Sequence, residues 1–234
     1  MKAALLVVDI QEDFCPPNGT LAIQEGRSIA PTVNSLLAHP GFTIRVATQD
    51  YHPENHISFA SNHPPPNNRP FESKVPVHNP APGKENETKL QDLWPVHCVG
   101  GTKGADIIPE IDQSNIDLYV KKGMNPEVDM YSAFADVFGN VDPTIIGQSV
   151  NVDLRSFLAN NGITTVFVTG LAGDYCVKHT AIGAAKAAFT SYVVEDATRC
   201  VAPGSGWEEA KQELRAAGVS LVRSDGPEIS GLAM

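Results

Sequence analysis

The stretch Ala3-Ala-Leu-Leu-Val-Val-Asp9-Ile-Gln-Glu-Asp-Phe14 decides the fold. Its first six residues are apolar without alternation, the pattern of a strand buried on both faces of a parallel sheet covered by helices. Asp9 closes the run with a carboxylate, which is costly to bury without a partner. Similar runs recur at Thr43–Thr48, Ile116–Val120, Thr164–Thr169, Ser191–Val194 and Val219–Val222. Helical patterns lie among them at Ser28–Ala38, Val152–Ala159, Tyr175–Ala188 and Trp207–Ala217, the last stopped by Gly218. Alternating strands and helices predict an α/β sandwich around a mainly parallel sheet of about six strands.

Such sheets present ligands at the carboxyl ends of their strands. Asp9, Asp50, Lys122 and the turn Gly170–Cys176 occupy those positions. In Val166-Phe-Val-Thr-Gly-Leu-Ala-Gly-Asp-Tyr-Cys-Val177 a strand breaks at glycine and re-enters a helix within a few residues. That geometry lifts the Cys176 thiol onto a helix N-terminus, in a turn expected to be surface-accessible. Backbone N–H groups there favour a thiolate and can hold an oxyanion. A thiol, a carboxylate and an ammonium converging on one point supply a nucleophile, a proton acceptor and a charge stabiliser.

Asp50-Tyr-His52 places two ligating groups on one side of an extended segment. His97, in Trp94-Pro-Val-His-Cys98, can complete a facial set. One carboxylate with imidazoles suits zinc, iron or manganese, with positions left open. Each residue alone also has a plainer reading: Cys176 as a small buried hydrophobe, Lys122 as a surface lysine, the histidines as loop residues without a metal.

Composition bounds the partners. The chain has 234 residues, 42% apolar content and a formal charge of -10, with no cluster of lysines or arginines. That charge lacks the positive field needed by nucleic-acid or anionic-membrane binders, so neither is an expected partner. The N-terminal apolar run is too short for a signal peptide, and no run reaches the length of a membrane span. A cytoplasmic location is expected, with the nucleus as the alternative. Four widely spaced cysteines in a chain of this size predict reduced thiols rather than staples. Residues 1–234 read as one domain. The stretch at about 62–95 holds eight of the 18 prolines and reads as a surface excursion, either an active-site wall or a decorative insertion. There is no internal repeat, no Gly-x-Gly-x-x-Gly after a strand and no Walker-type loop.

Five segments carry a resemblance. Val8-Asp9-Ile-Gln-Glu-Asp-Phe14, Thr48-Gln-Asp-Tyr-His52-Pro-Glu-Asn-His56-Ile-Ser-Phe-Ala60, Trp94-Pro-Val-His-Cys98, Lys122-Gly-Met-Asn-Pro-Glu-Val-Asp-Met-Tyr-Ser-Ala-Phe134 and Thr169-Gly-Leu-Ala-Gly-Asp-Tyr-Cys-Val177 resemble, in order, the signatures of nicotinamidases within the isochorismatase-like cysteine hydrolases. The resemblance implies an isochorismatase-like sandwich and hydrolysis of nicotinamide, and of pyrazinamide, to the acid and ammonia, in NAD salvage.

It also implies roles. Asp9, Lys122 and Cys176 would form the triad, with Lys122 preferred to Lys121 because a small residue follows it. Asp50, His52 and His97 would bind one divalent transition metal, zinc ahead of iron or manganese, with His56 as a weaker extra ligand or a group behind them. Phe14, Tyr131 and Leu171 would wall the pyridine. A cis peptide at Leu171–Ala172 would aim the amides of Ala172 and Cys176 at the oxyanion. Tyr51, Glu12 and Cys200 depart from the usual pattern, where Trp, Asn and a small residue are common. The expected partner is the small-molecule substrate, and a homo-oligomer is left open. The rival readings are an amidase for N-carbamoyl compounds, a catalytically silent nicotinamide-binding protein, and a metallohydrolase with a spectator cysteine.

Overall fold

A computed structural model describes residues 1–232. Six strands form one sheet: β1 (Ala3–Val8), β2 (Phe42–Asp50), β5 (Leu118–Lys122), β6 (Thr165–Leu171), β7 (Thr190–Arg199) and β8 (Ser220–Val222). Their order is β5-β2-β1-β6-β7-β8 and every neighbouring pair is parallel. The remaining strands, β3 (Lys74–His78) and β4 (Thr88–Asp92), pair antiparallel as a separate hairpin. No helix among the described residues is long and apolar enough to cross a membrane.

All six residues of β1 are buried, and strand alternation divides them between two cores. Ala3, Leu5 and Val7 pack with Val33, Leu36 and Leu37 of α1 (Ala30–Leu37), joined by Ile229 near the C-terminus. Ala4, Leu6 and Val8 face Ile146 of α2 (Pro143–Ile146), Leu158 of α3 (Leu154–Asn160), Ala181 of α4 (Lys178–Lys186) and Leu214 of α5 (Ser205–Ala216). A short α6 (Pro227–Ser230) carries Ile229. Full burial of each Leu contributes about 1.5–3 kcal/mol, so the unbroken apolar run anchors both layers.

From β1 the chain moves to β2 and β5 on one side, then crosses back to place β6, β7 and β8 on the other. The reversal opens a crevice at the carboxyl ends beside β1, where open α/β sheets bind ligands.

The expected elements form, with shifted bounds. β2 and β5 run on to the Asp50–Lys122 pair because the ladder continues that far. The helix expected at Ser28–Ala38 opens as a 3-10 turn, Gly26–Ile29, before α1 with Pro31 in its first turn. The pattern at Tyr175–Ala188 splits into a π-helical turn, Gly173–Val177, and α4. The Ala172 carbonyl produces that turn by accepting N–H groups from both Tyr175, at 3.1 Å, and Val177, at 3.0 Å.

The proline-rich excursion carries the β3–β4 hairpin. Its hairpin buries Val75, Val77 and Gln91, and Leu93 follows them inward. A two-stranded ribbon makes each strand an edge, which accommodates Pro76 in β3.

Candidate active site

Lys122, at the end of β5, is the hub of the crevice floor. It has no exposed surface, and its Nζ lies 2.9 Å from Asp9 Oδ2, 3.4 Å from Cys176 Sγ and 3.3 Å from the Met130 carbonyl. It also pairs closely with Asp50. Burial alone would pull this ammonium's pKa down. Asp50, then Asp9 and Cys176, outweigh burial and hold it well above its ordinary value.

Asp9 adopts a left-handed backbone, φ 48, which aspartate tolerates better than most residues. Its Oδ1 accepts from Thr48 Oγ1 at 2.5 Å, while its Oδ2 faces Lys122 Nζ. Burial raises the Asp9 pKa, with Lys122 opposing. Burial likewise pushes the Cys176 thiol well up, against Lys122. The resting floor is thus a thiol held protonated beside a buried Asp9 that is paired with Lys122. Cys176 is only 6% exposed, which corrects the expectation of a surface-accessible turn: the loops around the π-helical turn rise above it and leave it at the bottom of a cleft.

Next to this floor, ligating atoms of Asp50, His52 and His97 lie within 4.8 Å of one another. His52 Nδ1 donates to the Gly123 carbonyl at 2.7 Å and His97 Nδ1 to the Pro95 carbonyl at 2.8 Å. With each Nδ1 proton committed to a carbonyl, each Nε2 is the atom left to face a cation; at His52, burial pulls the pKa down but Asp50, 3.6 Å from Nε2, outweighs it and raises the pKa while no cation is bound. Burial depresses His97 to about 4, which also favours the neutral ligand form. The donor set therefore fits a divalent transition metal.

Backbone restraints hold these ligands. Gly123 has φ +69, and a Cβ there would fall 2.5 Å from His52 Cε1. The Gln11 side chain donates to the Asp50 carbonyl at 2.8 Å and accepts the Asp50 N–H at 2.8 Å, so it extends the ladder around that residue. His56 stacks on His52 with centroids 4.0 Å apart, behind the cleft rather than in its lining, and its Nε2 has no partner among the described residues. His52, His56 and Asp129 form a second close trio.

The cleft above is lined by Phe14, Leu21, Ile23, Asp50, His52, Trp94, His97, Asp129, Tyr131, Ala172, Tyr175, Cys176 and Val201. Phe14 and Tyr131 line the cleft. Leu171 does not. Its side chain is fully buried in the α1-side core with Phe167, because alternation along β6 turns it away from the cleft. The Leu171–Ala172 peptide is cis. The bonds to the Ala172 carbonyl use the Tyr175 and Val177 amides and involve neither the Ala172 nor the Cys176 N–H.

Sequence reasoning missed Asp129, Tyr175 and Thr48 as site residues. Asp129 and Tyr175 lie inside motifs quoted above, so a buried acid two residues before Tyr131 was the available signal. The three departures fall outside the lining: Tyr51 sits under the Lys121 ammonium at 4.1 Å, Glu12 pairs with Arg27, and Cys200 packs against Gly173.

Comparison with known proteins agrees with this architecture. Residues 3–225 match the family described as the isochorismatase domain. A nicotinamidase of Acinetobacter baylyi is 38% identical over 95% of this chain and 93% of its own length. The structure of the yeast nicotinamidase bound to the inhibitor nicotinaldehyde is 33% identical, with a TM-score of 0.83 over 94% of this chain and 99% of that one. A Pyrococcus horikoshii pyrazinamidase in complex with zinc is 30% identical, with a TM-score of 0.70 over 95% of this chain and 99% of that one. With a family match over residues 3–225 and relatives aligned over nearly its whole length, the chain belongs to the isochorismatase family.

Proposed function

We propose that this chain is a metal-dependent cysteine amidohydrolase that converts nicotinamide to nicotinate and ammonia, and accepts pyrazinamide. The observation that carries the reading is the reach of Lys122 Nζ to both Asp9 and Cys176 beneath a small, partly aromatic cleft whose lining also presents Asp50, His52 and His97. Relatives that are nicotinamidases over nearly their whole length support the substrate.

In this reading Asp9 Oδ2 takes the Cys176 proton and Sγ attacks the carboxamide carbon. The Ala172 and Cys176 amides receive the oxyanion. Protonated Asp9 then gives its proton to the departing nitrogen, which leaves as ammonia, and a thioester remains. A water loses a proton to Asp9 and adds to the thioester. Collapse expels Sγ, which takes the proton back, and nicotinate is released. Lys122 balances the negative charge on Asp9 and Cys176 throughout.

Asp50, His52 and His97 would hold the metal, zinc in the first instance with iron or manganese as alternatives. When bound, it supplies a Lewis-acidic anchor for the ring nitrogen. Phe14 and Tyr131 flank the ring. A free thiol at the reaction centre suits a reducing compartment, the cytoplasm, and nicotinamide hydrolysis there suits a role in NAD salvage.

The test is ammonia release from nicotinamide, pyrazinamide and benzamide by metal-loaded protein. Sites built around a polar contact reject analogues lacking it by up to about 10⁴, so benzamide is expected to be very poor. Benzamide turned over within about tenfold of nicotinamide would point to a less selective amidase. Activity retained by Cys176→Ser would point to a metallohydrolase with a spectator thiol.

A further inference from the structure

Strand β4 is polar and mostly exposed, with Leu90 69% exposed, yet Gln91 beside it is only 3% exposed. Burying an amide is costly unless it is hydrogen-bonded, and this one is richly partnered. Gln91 Nε2 lies 2.9 Å from the Tyr131 hydroxyl, 3.0 Å from Asp129 Oδ2 and 2.9 Å from the Asp92 carbonyl. Tyr131 and Asp129 both line the cleft. The other carboxylate oxygen of Asp129 accepts the Met130 N–H at 2.8 Å, and the Met130 carbonyl is the one that Lys122 Nζ reaches on the floor. Trp94, two residues beyond β4, adds its indole N–H to the Tyr131 hydroxyl at 3.4 Å.

We infer that Gln91 is a positioning residue for the reaction, and that through its amide the hairpin β3–β4 fixes the cleft wall formed by Asp129 and Tyr131. The inference rests on the amidase reading above. Gln91 lies outside the lining, so it acts through its two partners. Without its N–H groups, Asp129 is a buried carboxylate near Asp50 with one donor fewer. Tyr131 is then oriented only by Trp94 and by its neighbours Tyr175, at 5.7 Å, and His179, at 5.5 Å. The wall loosens around the ring while Asp9, Lys122 and Cys176 are untouched, so the defect falls on binding and not on the chemical step.

The test compares Gln91→Met, which keeps the length and removes the amide, with Gln91→Asn, which keeps the amide and loses its reach. Both are made with and without Tyr131→Phe in metal-loaded enzyme. Steady-state kinetics on nicotinamide, calorimetric titration with nicotinate and thermal midpoints are measured. Either Gln91 variant is expected to raise KM and weaken nicotinate binding by about tenfold, with kcat held within about threefold. In the Tyr131→Phe background the same change should cost clearly less than in the parent, because one of its two contacts is already gone and only that to Asp129 is left to lose. KM and nicotinate affinity unchanged in a folded variant would overturn the inference, as would effects that multiply with Tyr131→Phe. A fall in kcat and thermal midpoint with KM constant would mark Gln91 as merely structural. If one variant does not fold, the other decides. Wild-type protein that binds nicotinate without releasing ammonia sinks the amidase reading, and the titration still decides the role of Gln91.

Discussion

The Lys122 ammonium stands 2.9 Å from Asp9 Oδ2, an ion pair between two side chains with no exposed surface. A carboxylate oxygen carries two lone pairs, so this ion pair leaves one of them for a second hydrogen. Asp9 therefore faces the Cys176 thiol as an available acceptor, held beside a permanent positive charge.

Asp9→Asn should remove the acceptor with little change of shape. A general acid–base group contributes about 10²–10⁴ in rate, and kcat for nicotinamide is expected to fall by that factor while circular dichroism stays unchanged. Cys176→Ala should abolish turnover altogether. Alkylation that inactivates the enzyme while peptide mapping finds Cys176 unmodified would refute its role as nucleophile.

Lys122→Met leaves Asp9 and Asp50 buried with their shared cation gone. Removing one partner of a buried ion pair costs about 3–5 kcal/mol, to be read from urea denaturation. Adding Asp50→Asn removes one of the stranded charges and should recover part of the loss. A Lys122→Met protein as stable as the parent would mean that the charges on the floor are not coupled.

Chelation should strip activity, and His52→Ala with His97→Ala should remove the stoichiometric metal measured by elemental analysis. Gly123→Ala makes a subtler change. Its methyl would meet the His52 ring, and disturbing the support of a ligand typically costs about 10–100-fold in metal affinity. Unaltered affinity in Gly123→Ala would show that His52 can move without consequence for the ion.

His179, which stacks on Tyr131, is lowered to about 4 by burial and then by Lys178. Its folded pKa lies below the unfolded value near 6.5, so its contribution is full above that value and is lost as pH falls toward 4. The ring is partly exposed, which limits the effect to about 1–2 kcal/mol. Denaturation across this window should show a shallower slope in His179→Phe than in the parent. Identical slopes would exclude the histidine as the titrating group.

The sheet was legible because strands buried on both faces write themselves as unbroken apolar runs, and Asp9 was legible because it interrupts one. Lys122 and the ligands followed from their place after such runs together with the family resemblance. Leu171 lies in the core and not in the lining, because chain proximity to Ala172 says nothing about the face on which a side chain emerges. The depth of Cys176 depends on loops distant in sequence. The hairpin escaped because one buried face of a two-stranded ribbon leaves only Val75, Val77 and Gln91 among prolines and charges. The contacts of Gln91 with Asp129 and Tyr131 join segments 38 and 40 residues apart, a pairing that no local pattern encodes.

β1 is sealed between two helical layers, whereas the cleft wall draws on residues from outside the main sheet. The two parts are free to diverge at different speeds. A lineage can exchange the hairpin and the segment around Asp129 without disturbing Asp9 on its central strand, so new amides can be recruited as substrates while the thiol chemistry is inherited intact. By the same logic, a laboratory effort to retool selectivity should begin in residues 74–94 and 129–131, and leave the ends of β1, β5 and β6 alone.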